Sequence, residues 1–489
     1  MPIFSLIIIV ILTYILVFYR ETMICKFYKI FTMDCVVKLF FVQGYFLKIG
    51  DIEIASSAAV CDIILLLYAI VILLNRKQLL KNKVVILGLC VIAVSIVSIF
   101  FELAFPYKGL LLPKVDAINN WDNYIAGGCS MIQYFPVITD YVSSMIHLLY
   151  FLVIITAFKI TFNISYFLKA YMQVISIAKY GVYYGWLEFF IKNVINNLTI
   201  TYDFTAIMFG MNENSIMTEA ISKGGIFYSL QGFCREPSHF NVFIFSVVML
   251  MILGFFITEN LKDCIHIKLP YSKLTIISGI SLLLITGGFS SVWLLFILSL
   301  GTVILQFRRM NINVMTMFFK YKGMILSGIC CCLLLLFAIG NNDYFVGRIQ
   351  DAIMVVSFIS NTGGNFAGLA LGGNEGIGST IARFISIYEG MNIFLNRPFW
   401  GLGYMIQTLH DDTIAYLVNM GLVGYYFLLK FLVSSVDRFK YDKLYLGAIF
   451  IIGGLPMIIS VYGLCVYWLL FIEGSMIARK ENRWILNDK

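Results

Sequence analysis

The chain has 489 residues, of which 60% are hydrophobic and only 13% are charged, against about 25% charged in soluble globular proteins. With a mean hydropathy of +0.89, 43 Phe and only 8 Pro, this excludes an ordinary soluble enzyme and a disordered chain, and makes a bilayer the expected solvent. The net charge of +8 is spread without a basic domain of the kind that binds nucleic acid, so it is read as membrane topology.

A hydrocarbon core about 30 Å thick takes roughly 20 apolar residues as helix. Residues 3–19 form the first such run; with no basic leader and no small-residue cleavage site, a retained helix is expected rather than a cleaved signal. Further spans are expected at 35–49, 54–74, 84–105, 141–158, 170–191, 240–258, 274–288, 290–306, 323–340, 413–433, 444–459 and 461–477. The expected fold is therefore all-α: a polytopic integral membrane protein of about 12–13 transmembrane helices in a single membrane domain over residues 1–489. The 11 Cys lie mostly inside apolar runs, as at Cys330, Cys331 and Cys332, where they act as small buried hydrophobes.

Positive charge orients these spans, because cytoplasmic connections hold the excess of Lys and Arg. One set of connections carries clusters such as Arg76, Lys77, Lys81 and Lys83, or Arg308, Arg309, Lys320 and Lys322, and ends with Arg479, Lys480, Arg483 and Lys489. The opposite set carries only Lys108, Lys114, Lys223, Arg235, Arg348, Arg383 and Arg397 in far more residues. The C-terminus is thus expected in the cytoplasm. Three long connections, 106–140, 192–239 and 341–412, are expected outside, where chemistry belongs because long ordered loops are usually functional.

In the last of these, glycines crowd the stretch from Asn361 to Gly378, which suits either a plain flexible connection or a loop wrapped on a phosphate. Ser379 then reads as the N-cap of a helix through about Leu395, with Ile381, Phe384, Ile385, Tyr388 and Met391 on one stripe. Such a helix lies along the membrane surface. It sets Arg383 at the boundary, to grip the anionic head of a lipid-linked substrate or to pair with phospholipid or Glu389.

Asn396 to Tyr404 reads as a tight turn, and His410-Asp411-Asp412-Thr413 opens the next span. A helix N-terminus disfavours a cation, so the His410 imidazole has the means to stay neutral and take a proton from a hydroxyl; the plainer reading is a structural hydrogen-bonder. In the middle connection, Gly232-Phe233-Cys234-Arg235-Glu236-Pro237-Ser238-His239 leads into a span and poises Arg235 at the same interface, paired with Glu236 or free to hold an anion. Two such arginines would make a diphosphate clamp. No external metal-ligand spacing is present, Asp51-Ile52-Glu53 reads as a solvated turn, and no nucleotide-binding motif appears, so neither metal nor cofactor is expected.

These segments resemble the O-antigen polymerase and ligase superfamily of bacterial surface polysaccharide assembly. The resemblance rests on Asn396 to Gly403, His410 and Gly421-Leu422-Val423-Gly424, on Arg383 upstream, on Arg235-Glu236-Pro237-Ser238, and on Thr286 to Ser291, and it covers residues 230–435. Family members often carry Asn where this chain has Asp411, and commonly an Arg within the turn that here holds Phe289. The resemblance implies a GT-C-like fold in the bacterial inner membrane. It implies a metal-independent, inverting glycosyl transfer at the outer leaflet, from a polyprenyl-diphosphate-linked oligosaccharide such as an undecaprenyl diphosphate donor to a hydroxyl of an acceptor glycan. Arg383 and Arg235 would clamp the diphosphate, His410 would serve as base, and Glu236, Arg397, Tyr404 and Trp400 would contact substrate. Aromatics including Trp121, Trp400, Tyr404 and Tyr416 suit sugar stacking or an interfacial belt equally. Implied partners are the lipid bilayer, a chain-length regulator and a flippase, with no nucleic acid. The expected activity is that of a polymerase making O-antigen, capsule or exopolysaccharide. A ligase of the same superfamily is the nearest alternative, and a lipid-linked oligosaccharide flippase is the alternative of another class.

Overall fold

The computed structural model describes residues 3–40, 45–49, 52–109, 111, 136–197, 199–209, 228, 230–234, 237–261, 272–285, 350, 353, 357, 377–404, 406–407, 409 and 412–432. In chain order the elements are α1 (Ile3–Thr13), which continues as a short π-helix over Tyr14–Phe18, α2 (Met23–Leu39), β1 (Tyr45–Ile49), β2 (Ile52–Ser56), α3 (Ser57–Leu74) and α4 (Lys83–Ala104). There follow α5 (Ile138–Ile160), α6 (Ile164–Asn193), α7 (Thr199–Phe209), α8 (Pro237–Leu261), α9 (Lys273–Ile285), α10 (Ile377–Asn396) and α11 (Asp412–Leu432). The expected spans at 290–306, 323–340, 444–459 and 461–477 lie outside the described residues, as do Thr286 to Ser291, the Cys330 to Cys332 run and most of the 106–140 connection.

Among the described residues three helices are long and apolar enough to cross a membrane: Lys83–Ala104, Ile138–Ile160 and Ile414–Leu432. The way α4 distributes its side chains identifies its solvent. It buries Gly88, Val91, Ser95, Ser98 and Glu102 and exposes Ile86, Leu89, Ile96, Val97, Phe100 and Leu103. In water that arrangement would be inverted; in lipid it is the expected one, because small and polar residues let helices approach and bulky apolar ones face the chains. The buried hydroxyls are satisfied within the helix, Ser95 Oγ donating to Val91 O and Ser98 Oγ to Val94 O, both at 2.9 Å.

α4, α5 and α11 pack as one group with alternating direction. At one end Lys159, in the last turn of α5, donates from Nζ to Phe431 O at 3.0 Å and Leu432 O at 2.5 Å, a cation satisfying the orphan carbonyls that end α11. Gly88, in the first half of α4, faces the Phe431 ring at that end. At the other end Gly403 packs against Ile99 and Tyr141, so the end of α4, the start of α5 and the segment entering α11 share one face.

A second group is held by rings. α6, 30 residues long, carries Gly181 and Gly185, where a Cβ would fall under 3.0 Å from the rings of Phe243, Phe233 and Phe240. The absence of side chains on α6 is what lets the aromatics of α8 and its leading turn lie against the helix. Phe240 and Phe243 stack at 6.0 Å, and Phe40 after α2 stacks on Phe233 at 4.6 Å. On the far side of α6, Trp186 Nε1 donates to Ser278 Oγ at 2.5 Å and Tyr183 OH pairs with Thr275 Oγ1 at 2.9 Å, fixing α9.

Three expectations need correction. Residues 35–49 are not a span: the helix is Met23–Leu39, and Tyr45–Ile49 pairs antiparallel with Ile52–Ser56 in the register Tyr45↔Ser56, Leu47↔Ile54, Lys48↔Glu53 and Ile49↔Ile52. The described chain is therefore helical apart from this hairpin. The sequence between the strands is Gly50-Asp51, a composition that favours two-residue hairpin turns. The connection 192–239 also contains a helix, α7, where a loop was expected. At α10 the helix starts at Ile377, two residues ahead of the expected cap at Ser379.

Candidate functional site

The segment between α10 and α11 is built around a break in α11. At Gly421 the backbone adopts φ 63° and ψ −177° inside the helix, which interrupts the ladder of backbone bonds. In hydrocarbon such freed groups must find partners within the protein. The preceding turn supplies them. Leu422 N donates to Pro398 O at 2.7 Å and Val423 N to Phe399 O at 3.3 Å, while Leu402 N donates to Val418 O at 3.0 Å and Gly403 N to Asn419 O at 2.8 Å.

Glycine is required where the two strands of backbone meet. A Cβ on Gly421 would stand under 3.0 Å from Phe399 O and Trp400 N, and one on Gly401 would be 2.6 Å from Val418 O; both residues have positive φ, a region costly for other side chains. The Asn419 side chain completes the seam, its Oδ1 accepting from Gln407 N and its Nδ2 donating to Gln407 O, each at 2.7 Å. Gln407 and Asn419 are both buried. Two of the segments on which the resemblance rests, Asn396 to Gly403 and Gly421 to Gly424, are thus one structural unit.

Arg397 anchors that unit to α4. Its guanidinium donates from Nη2 to Phe105 O, stands 3.6 Å from Glu102 Oε2 and lies over the Phe101 ring at 4.9 Å. Glu102 in turn accepts from Tyr107 N at 2.7 Å through Oε1. Arg397 was expected to contact substrate; here its charge is directed to Glu102, with side-chain exposure of 13%. Tyr404 is buried in the core at 1% exposure, and Trp400 is half-buried in the turn.

α10 lies on the first half of α11, Gly390 facing Ile414, Leu409 and Val418. Burial raises the Glu389 carboxyl above its ordinary range, with a hydrogen bond from Asn392 acting against it. Tyr107 is also raised, first by burial and then by the charge of Glu389, while a hydrogen bond with Asn396 lowers it. The ends of α4 and α10 therefore meet in a patch holding Glu102, Tyr107, Glu389, Asn396 and Arg397. The side chain of Arg383, on the α10 backbone, lies outside the described residues, as do His410, Arg235 and Glu236.

The turn that leads to Arg235 is nevertheless anchored by groups the sequence reading missed. Glu188 and Lys192, one helical turn apart on α6, form a 2.6 Å ion pair with side-chain exposures of 1% and 0%. The same carboxylate accepts from Gln231 N at 3.2 Å and Gly232 N at 2.6 Å, and Asn193 Oδ1 accepts from Tyr228 N at 2.7 Å. A buried carboxylate with an ammonium and two amide donors is fully compensated. The available signal was a Glu and a Lys spaced i, i+4 inside an apolar run, a placement that lipid makes costly unless the charges pair.

Among the described residues no group of three or more His, Cys, Asp or Glu is placed to hold a metal ion. No family model, curated protein or solved structure matches the chain.

Proposed function

We propose that this protein is a bacterial surface polysaccharide polymerase, transferring polyprenyl-diphosphate-linked oligosaccharide repeats to an acceptor glycan at the outer leaflet. The observation that carries the reading is the seam just described. The turn from Asn396 to Gly403 and the Gly421 break, which the resemblance names as separate motifs, are bonded backbone to backbone, Pro398 O to Leu422 N at 2.7 Å. Broken helices supported by a packed loop are how membrane proteins build polar sites at a helix end. The positive-inside rule supports placing this seam outside, since Lys83 and Lys159 lie toward the opposite end of the same helices.

In this reading the acceptor hydroxyl loses its proton to His410 as its oxygen attacks the anomeric carbon. The bond from that carbon to the diphosphate breaks on the opposite face, and the electron pair leaves with the lipid diphosphate. Arg383 and Arg235 balance the charge that develops there. Glu236 and Trp400 belong to the sugar-binding surroundings, while Tyr404, buried in the core, supports the turn from beneath, and Arg397 acts by holding the turn to Glu102.

The test is replacement of His410 or Arg383 by Ala in the producing strain. Both variants should reach the membrane in normal amount while long glycan chains disappear, a loss of about 10²-fold or more in rate; normal chain lengths in both would refute the assignment. A deletion strain separates the related activity: single-repeat surface glycan marks a lost polymerase, and accumulated long lipid-linked glycan marks a lost ligase.

A further inference from the structure

Elsewhere in the bundle, α2, α3 and α5 enclose a set of charges that the proposed transfer does not use. Lys38 Nζ donates to Asp34 Oδ2 at 3.1 Å, to Asp62 Oδ1 at 2.5 Å and to Tyr150 OH at 3.3 Å, and Tyr150 OH donates to the same Asp62 oxygen. Tyr150 sits mid-helix in α5, roughly 15 Å or more from either end at the α-helical rise. Ionisable groups at such a depth are costly and are kept for a use.

The charges do not balance as ordinarily drawn. Two carboxylates and one ammonium leave a net negative charge, and among the described residues the other titratable groups facing Asp34 and Asp62 are the thiols Cys35 and Cys61 and the Tyr150 phenol, none of them a cation. Asp34 is fully buried, and among the described residues its Oδ1 has no hydrogen-bond partner. A stranded oxygen of a buried carboxylate carries a large desolvation cost; the carbonyl oxygen of a neutral acid carries far less. The Asp34 and Asp62 carboxyls both bond the one Lys38 ammonium, which sets them beside one another, where two ionised groups would repel and one proton would relieve them.

We propose that Asp34, Lys38, Asp62 and Tyr150 form a proton-binding site within the helix bundle, in which a single proton is held between the two carboxyls. Asp62, accepting from Lys38 and Tyr150, is the ionised member, and Asp34 carries the proton toward it. The site as a whole is then neutral.

Infrared difference spectroscopy on the full chain in lipid nanodiscs, with aspartate carrying a carbon isotope label, tests this at neutral pH. The wild type should show a carbonyl stretch of a protonated aspartic acid, and Asp34→Asn should abolish it. Asp62→Asn should abolish it as well, because removing one carboxylate leaves Asp34 alone with Lys38 and hence ionised. Absence of the band in the wild type would overturn the proposal without any variant. Persistence of the band in Asp62→Asn would overturn the sharing, since Asp34 would then be neutral through burial alone. Stabilisation of the wild type by sodium chloride but not by choline chloride would also overturn it, by placing a metal cation where the proton is assigned.

Discussion

The α4, α5 and α11 group and the α6, α8 and α9 group solve one problem in different ways. Each must satisfy polar groups beside irregular backbone at a helix end. Around Gly421 the partners are backbone groups of the Asn396 to Gly403 turn, so the seam depends on two chain segments approaching without side chains between them. Around Gln231 and Gly232 the partner is a side chain, Glu188, made tolerable by Lys192. The first device is sensitive to added volume and indifferent to charge; the second is the reverse. A seam of backbone bonds fixes shape, whereas a carboxylate held by an ammonium ties the turn above it through side chains.

The largest effect should come from breaking the second device. Glu188→Ala takes the carboxylate away from the buried Lys192 ammonium and from the Gln231 and Gly232 amides, a loss of about 3–5 kcal/mol for a broken buried ion pair. Thermal unfolding of the detergent-solubilised protein should show it. The double replacement Glu188→Leu with Lys192→Met should recover part of that loss, because no charge remains to be compensated. If the single variant melts with the wild type, the carboxylate does not hold the turn.

Gly421→Ala should be next, at about 3 kcal/mol, combining a positive-φ penalty with a collision against Phe399 and Trp400. The signature that separates it from general destabilisation is local. A cysteine pair across the seam, one in the turn before Tyr404 and one in α11, should crosslink in the wild type and fail to do so in the variant. The equivalent change at Gly424, which has no positive φ and where a Cβ would meet Met420 Cβ at 2.8 Å but no backbone atom of the turn, should be milder, since the left-handed penalty is absent.

Much of the helical architecture was legible. α4, α5 and α11 are long apolar runs, and their composition alone marks them. The hairpin at Tyr45–Ser56 was not, because a strand pair with apolar residues has the hydropathy of a short span, and the register that distinguishes them is a tertiary property. At the candidate site the sequence picked out the Asn396 to Gly403 and Gly421 to Gly424 segments as motifs. That they bond to each other was hidden, since nothing in either segment encodes its partner. Glu188 and Lys192 went unread for a different reason: within a hydrophobic window two charges lower the average slightly, while their pairing with a turn some forty residues later leaves no local trace. Arg397 was read as a ligand for substrate because its partner, Glu102, lies at the end of a helix nearly three hundred residues earlier.

The smallest effect concerns Glu389, and it separates the two groups by pH. Burial raises this carboxyl in the folded protein above the value of about 4.5 it has in an unfolded chain. Between the two values the folded state therefore binds more protons than the unfolded one, so stability falls as pH rises through the folded value and is fully retained below the unfolded one. Glu389→Gln removes that titration while keeping a side chain that can bond Asn392. The difference in melting temperature between variant and wild type should accordingly grow in favour of the variant from about pH 4 to neutral. Crosslinking across the Gly421 seam, followed over the same range, should track it, because α10 rests on the first half of α11. A pH-independent difference would mean that Glu389 is not buried as described, and a response in the Glu188 turn instead would mean that the two groups do not behave as separate devices.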